Sequence, residues 1–229
     1  MQITPSALML FAAGFGTRMG TLTTNRPKPL IKVAGSALID HALKIVNDAG
    51  IETVVVNTHY LPEMVSAHLA NRNVILSHEA EILETGGGLK QALHMLGPCP
   101  IFTFNTDAIW TGANPLTTLA NAWNPDKMDA LLLLVSRSNA IGYSAAGDFL
   151  QAKDGTIKLG AGAVYTGAQI IKTEGLKNIS QRKFSLHALW DQMYDDGRIY
   201  GVTHEGGWCD VGTPAGITLA ENMLEGSDV

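Results

Sequence analysis

The chain has 229 residues, of which 46% are hydrophobic and only 16% charged, enough for a large core and typical of a protein whose central strands are buried on both faces. A net charge of -5 excludes any broad attraction to nucleic acid or anionic lipid, so a phosphate has to be met by a local site. Two cysteines, Cys99 and Cys209, without C-x-x-C spacing, exclude a disulfide framework or a zinc cluster and point to a reducing cytoplasm.

The N-terminus has no basic region and Ala130 to Val135 is far too short to span a bilayer, so neither secretion nor membrane insertion is expected; residues 7–13 are apolar and strand-length. They run into Gly14, Gly16 and Gly20 around Arg18, and then into Pro27-Lys28-Pro29. Glycines after a buried strand let the backbone turn back and bring its amides to an anion. Ser36 is expected to cap a helix over Leu38, Ala42, Ile45, Val46 and Ala49 that stops at Gly50. Thr53 to Val56 reads as a strand, Pro62 opens a helix, Asn73 to Leu76 is a strand, Gly88 to Leu96 a helix and Ile101 to Phe104 a strand. This alternation predicts right-handed βαβ crossovers and a mainly parallel sheet, with ligands at the carboxyl ends of the strands.

After a buried strand at Ala130 to Val135 the texture changes. Asp148 to Ala152 and Thr156 to Leu159, joined by Asp154-Gly155, read as an antiparallel hairpin and a lid. Ser185 to Tyr194 is expected to be helical, Ile199 to Val202 extended, and Pro214 to Leu224 a last helix. No linker or repeat divides the chain, which reads as one α/β domain.

The glycine loop taken alone also fits a dinucleotide fingerprint. However, Pro27 and Pro29 break the helix that fingerprint requires, and Asn57 stands where a ribose-binding acid belongs. A Walker loop has no match. Arg18 offers a planar fork for phosphate and Lys28 a mobile point charge. Glu84-Thr85-Gly86-Gly87-Gly88 denies side chains to a surface that a flat nucleobase would fit. Asp107, after the strand at 101–104, and Asp210, in Trp208-Cys209-Asp210-Val211-Gly212-Thr213, are hard carboxylates suited to magnesium. His59, His68, His78, His94, His187 and His204 form no metal motif and read as surface or packing residues, and Cys209 as a packed thiol.

Ala-Ala-Gly-x-Gly-x-Arg-Met followed by Pro-Lys-Pro-Leu, with Leu83 to Gly88, Gly147-Asp148-Phe149 and the motif ending in Thr213, resembles the sugar-1-phosphate nucleotidyltransferases over nearly the whole chain. That resemblance implies a Rossmann-like three-layer α/β/α fold with a small antiparallel lid. It implies a nucleotide-binding half to about residue 125 and a sugar-binding half from about 126 to 229, with nucleotide binding by Ala12, Ala13, Gly14, Gly16, Thr17, Arg18 and Lys28, base recognition around Ala13 and Gly86 to Gly88, Asn57 and Asn105 at the substrate cleft, and Glu84, Thr85, Asp148 and Gly162 as further substrate- or nucleotide-binding residues. Magnesium would sit at Asp107 and Asp210, with Lys28, Arg18 and Asp107 carrying catalysis. The reaction implied is transfer from a nucleoside triphosphate, by pattern UTP, to a sugar 1-phosphate, by pattern a muramic one. Guanine or thymine and other hexoses stay open, as does a non-catalytic sensor of nucleotide-sugars. Partners would be small molecules only, with no nucleic acid or membrane, and the chain a monomer or small homo-oligomer.

Overall fold

Alternation of side chains across each strand sends one set of apolar residues to each face of a sheet, and both faces here are covered by helices. The computed structural model describes residues 5–97 and 100–227; the reading of Cys99 lies outside them. The first half runs β1 (Ala7–Phe11), a hairpin of β2 (Lys32–Val33) and β3 (Ser36–Ala37), α1 (Leu38–Asp48), β4 (Thr53–Thr58), α2 (Pro62–Leu69), β5 (Ile75–His78), α3 (Glu84–Leu96) and β6 (Ile101–Asn105). Then follow β7 (Ala108–Trp110), α4 (Pro115–Ala122), β8 (Ala130–Val135), β9 (Ala140–Ile141), β10 (Phe149–Gln151), β11 (Ile157–Leu159), β12 (Val164–Ile171), α5 (His187–Asp195), β13 (Ile199–Thr203), β14 (Trp208–Asp210) and α6 (Pro214–Ser227).

Seven strands form the central sheet in the order β13-β8-β12-β6-β1-β4-β5, parallel except for β12. On one face Met9, Val55, Leu132 and Leu134 pack against Leu89 and Ala92 of α3 and Trp190 of α5. On the other face Leu8, Leu10, Val54, Val56 and Leu131 pack against α1, α2 and α4. The chain leaves β1 for β4 on one side and later returns to β6 on the other, so a cleft opens above the carboxyl end of β1. A separate small core of Met19, Ile31, Val33, Leu38, Cys209 and Val211 lies apart from both faces. It ties the segment after the glycine loop to the segment carrying Asp210.

Several expectations shift. β1 ends at Phe11, so Ala12 and Ala13 belong to the loop. Ser36 sits in β3 and α1 starts without a side-chain cap, its first turn instead fixed by Leu38 N–H bonding to Ile31 O at 2.9 Å. α3 begins at Glu84, four residues earlier than expected, so Gly86, Gly87 and Gly88 lie inside its first turns. The hairpin β10–β11 forms, but it packs through Phe149 on Tyr165 and Trp190 and through Gln151 on Gly201 rather than closing over the cleft. β12 was not expected; its Gln169 is fully buried, paired with Thr103 and Trp190, and interrupts any apolar run. α4 also went unread, although Asn114 caps it through Leu116 and Thr117 ahead of Pro115.

Candidate active site

The loop from 12 to 16 leaves β1 outside any helix or strand and turns at Gly16, whose φ of 65° favours glycine. A Cβ at Gly16 would also lie 2.8 Å from that of Lys28, so this glycine lets the lysine pass beneath the loop. Lys28 opens a single 3-10 turn set between Pro27 and Pro29, closed by Leu30 N–H to Pro27 O and Ile31 N–H to Lys28 O. Two fixed φ angles thus aim the side chain. Met19, fully buried in the small core, anchors the turn that follows the loop; Thr17 and Arg18 beside it face solvent.

Lys28 is 9% exposed and its Nζ lies 2.7 Å from Asp107 Oδ2. β7 and β14 pair antiparallel with Ala108 opposite Asp210, and Val211 N–H donates to Asp107 O at 2.9 Å. Backbone pairing therefore sets Asp107 and Asp210 side by side, although they are distant in sequence. Burial, and then the charge of Asp107, raise the Asp210 pKa above the usual carboxylate value; Lys28 and Arg18 oppose the shift. Arg18 NH1 stands 3.7 Å from Asp210 Oδ2 with a largely exposed side chain, a loose contact that leaves its donors available. A Cβ on Gly212 would come 2.7 Å from Arg18 NH1, so that glycine keeps the approach open.

Two cavities meet at this cluster. One is lined by Ala12, Ala13, Gly14, Lys28, Asn57, Glu79, Ile82, Glu84 and Thr85, the other by Arg18, Gly142, Tyr143, Ser144, Tyr165, Gly167, Trp208 and Asp210. Both are lined by Asn105 and Asp107.

In the first cavity Asn57 acts as a bracket. Its Oδ1 accepts from Ala12 N–H at 2.7 Å and its Nδ2 donates to Glu79 Oε1 at 2.7 Å. Glu79, 1% exposed, takes Leu83 N–H on its other oxygen. Glu79 was missed in the sequence, although its position just beyond the carboxyl end of β5 was the available signal. Glu84 stands at a φ of 61°, a left-handed conformation costly for a side chain with a Cβ. What approaches the three glycines is protein. A Cβ at Gly86 would meet the Phe184 ring at 2.5 Å, one at Gly87 would overlap the Arg182 carbonyl oxygen, and one at Gly88 would lie 2.5 Å from Glu79 Oε1. The Gly86 and Gly87 amides donate to Phe184 O, so the α3 start is capped by chain and the cavity wall is made by Glu84 and Thr85.

In the second cavity Asn105 packs against Gly167, whose φ of 84° sits where β12 slips register against β8. Asp148 does not line this cavity. Its carboxylate accepts from Tyr143 Oη at 2.7 Å and from Tyr165 N–H at 2.9 Å, fixing two residues that do. Gly162 also stands away from the cleft, pressed against the Phe149 carbonyl within the hairpin region. Tyr143, Tyr165 and Trp208 were not chosen as site residues, since nothing in their local sequence marks them as neighbours.

The histidines match the packing reading: His59 lies edge-on to Phe15, His68 pairs with Asp40, and His204 is buried. Among the described residues no group of three or more His, Cys, Asp or Glu could hold a metal; the carboxylates lining the second cavity are Asp107 and Asp210. Burial, and then Asp210, push the Cys209 thiol up to about 11, so it stays protonated and inert. Among the described residues no helix is long and apolar enough to cross a membrane.

Residues 8–146 match the MobA-like NTP transferase domain. The chain belongs to this nucleotidyltransferase family. It is 42% identical to the N-acetylmuramate alpha-1-phosphate uridylyltransferase of Caulobacter vibrioides over 98% of this chain and 99% of that protein. Identity to the enzyme of the same name from Neisseria meningitidis is 33%, over 94% and 96%. In structure it is similar to the inositol-1-phosphate CTP transferase of T. maritima, with a TM-score of 0.79, 18% identity and 99% of both chains covered; that likeness carries the fold. The chain is thus a sugar-phosphate nucleotidyltransferase with the α/β architecture expected from its sequence.

Proposed function

We propose that this nucleotidyltransferase moves a uridylyl group from UTP to N-acetylmuramate 1-phosphate, releasing pyrophosphate, in a pathway that reuses cell-wall sugars. The observation that carries this reading is the pair of cavities joined at Asn105 and Asp107, with Lys28 lining one, and Arg18 and Asp210 the other. Two relatives of full length, named for that donor base and that acceptor, support the choice of pair. This reading takes the chain as a nucleotide half, about residues 1–125, and an acceptor half, about 126–229; the first cavity draws only on the first half, whereas the second also takes Arg18, Asn105 and Asp107 from it.

In this reading an oxygen of the sugar phosphate attacks the α-phosphorus in line. The new P–O bond forms as the bond to the β-phosphate oxygen breaks, and pyrophosphate leaves with that electron pair. A phosphate monoester at neutral pH is already an anion, so no side chain has to act as base, and positioning and charge compensation dominate. Lys28, held under the loop, offsets charge at the reacting phosphates, and Arg18 with the loop amides holds the departing pyrophosphate. Asp107 and Asp210 fit a divalent cation such as magnesium, which takes one or two protein carboxylates together with substrate phosphates. Strand pairing sets the two carboxylates side by side, and a cation there would offset their mutual repulsion, which after burial is the second cause of the raised Asp210 pKa. Bound there, the ion would add charge neutralisation at the phosphates.

The test is pyrophosphate release from a matrix of nucleoside triphosphates and sugar 1-phosphates with magnesium present. Release strongest with UTP and N-acetylmuramate 1-phosphate is the expected result. Release strongest with another pair would keep the reaction and overturn the substrates, and silence across the matrix with nucleotide still bound would favour a sensor.

A further inference from the structure

We propose that Arg137 recognises the carboxylate of the acceptor's lactyl group and so selects acidic sugars; this rests on the acceptor proposed above. Muramic acid differs from glucosamine by that lactyl ether, which adds a negative charge remote from the phosphate. That charge needs a cation of its own, because Lys28 stands on Asp107 and Arg18 beside Asp210, while Asp148 sits behind Tyr143. Arg18 is the cation in the lining of the second cavity, and it stands beside Asp210 at the phosphate end. A second cation at the rim is what an acidic acceptor requires.

Arg137 meets that requirement. It lies in the turn after β8, closed by Asn139 N–H to Ser136 O, and its guanidinium carbon stands 5.3 Å from the centre of the Tyr143 ring. Tyr143 is a rigid platform: its hydroxyl donates to Asp148, Asp148 also accepts from Tyr165 N–H, and Gly142 is packed against the Asp210 carbonyl. Arg72, Arg182 and Arg198 each pair with a carboxylate, whereas Arg137 makes no ion pair among the described residues. A guanidinium held by its face on an aromatic ring keeps its in-plane N–H edge for a planar, bidentate carboxylate. Arg137 does not itself line the cavity, but Tyr143, the ring it stands on, does, which sets the guanidinium one aromatic ring from the acceptor space.

The experiment compares N-acetylmuramate 1-phosphate with its neutral lactyl amide as acceptors for UTP-dependent pyrophosphate release. The wild type, Arg137→Ala and Arg137→Lys are measured on both. The wild type is expected to prefer the acid. In Arg137→Ala the acid-to-amide ratio of kcat/KM falls about tenfold, mostly through KM, and Arg137→Lys restores part of it. An unchanged ratio in Arg137→Ala, or a wild type indifferent to the carboxylate, overturns the proposal. A wild type that turns over neither acceptor, while using another sugar phosphate, overturns the acceptor assignment and this inference with it.

Discussion

The wall of the cleft toward Asn57 and Glu79 and the wall toward Tyr143 and Trp208 are built on different plans. The first is made by β1, β4 and β5, parallel neighbours whose carboxyl ends deliver the loop, Asn57 and Glu79 in short steps along the chain. The second is made by segments at 105–107, 142–145, 165–167 and 208–213, brought together by the antiparallel β12 and by β14 pairing with β7 and β9. The first wall is held by a buried hydrogen-bond bracket, the second by pairing of strands distant in sequence plus a tyrosine–aspartate clamp. A parallel βαβ scaffold suits a constant ligand, such as a triphosphate, whereas a wall of independent segments can vary to suit the acceptor.

Four substitutions probe this contrast, beginning with the strongest. Lys28→Ala removes the cation that lies between the walls, and turnover should fall by about 10²–10³-fold with the fold intact, because the side chain ends in a polar cleft. Steady-state kinetics beside a melting curve would check both halves of that statement. Gly87→Ala places a Cβ on the Arg182 carbonyl and should cost about 1–3 kcal/mol of stability by forcing residues 182–184 away from α3. At this chain length that is a Tm loss of roughly 2–4 °C per kcal/mol, readable by calorimetry. A Gly87 variant as stable as the wild type would mean that the triplet is kept clear for a ligand instead.

Asp210→Asn should have opposite effects on rate and stability. Because the pKa of Asp210 is raised by burial and by Asp107, the folded state holds its proton more tightly than the unfolded chain. Its contribution is therefore present below the ordinary carboxylate pKa and lost as pH rises through the raised value. The neutral amide avoids that loss, so the variant should be slightly more stable than the wild type at neutral pH yet much slower; melting curves at acid and neutral pH measure the difference. Smallest is Glu84→Gly, which relieves the left-handed backbone at the start of α3 against the greater freedom of glycine in the unfolded chain. A change within about 1 kcal/mol is expected.

The same contrast explains what the sequence disclosed. Apolar residues 7–11 with the glycines and the Pro-Lys-Pro turn sit within one stretch, so the first wall can be read from neighbours in the chain. Asp107 and Asp210 were legible through their motifs, but their adjacency depends on the β7–β14 register, which no local pattern encodes. The Gly86–Gly88 triplet was seen as an opening for a base because close approach is all that glycine signals; that the neighbours are Phe184, Arg182 and Glu79 required the tertiary fold. β12 escaped because Gly167 and a buried Gln169 break its apolar run, and with it went Tyr165 and the role of Asp148.

The account turns on Asp107 as the carboxylate shared by both cavities. The most direct measurement is single-turnover pyrophosphate release from UTP and N-acetylmuramate 1-phosphate by the wild type and Asp107→Asn, with UTP binding followed in parallel by calorimetry. The account predicts a single phase of pyrophosphate release from the wild type and a rate at least about 10²-fold lower in the variant, with UTP still bound. A variant that releases pyrophosphate at the wild-type rate would contradict it.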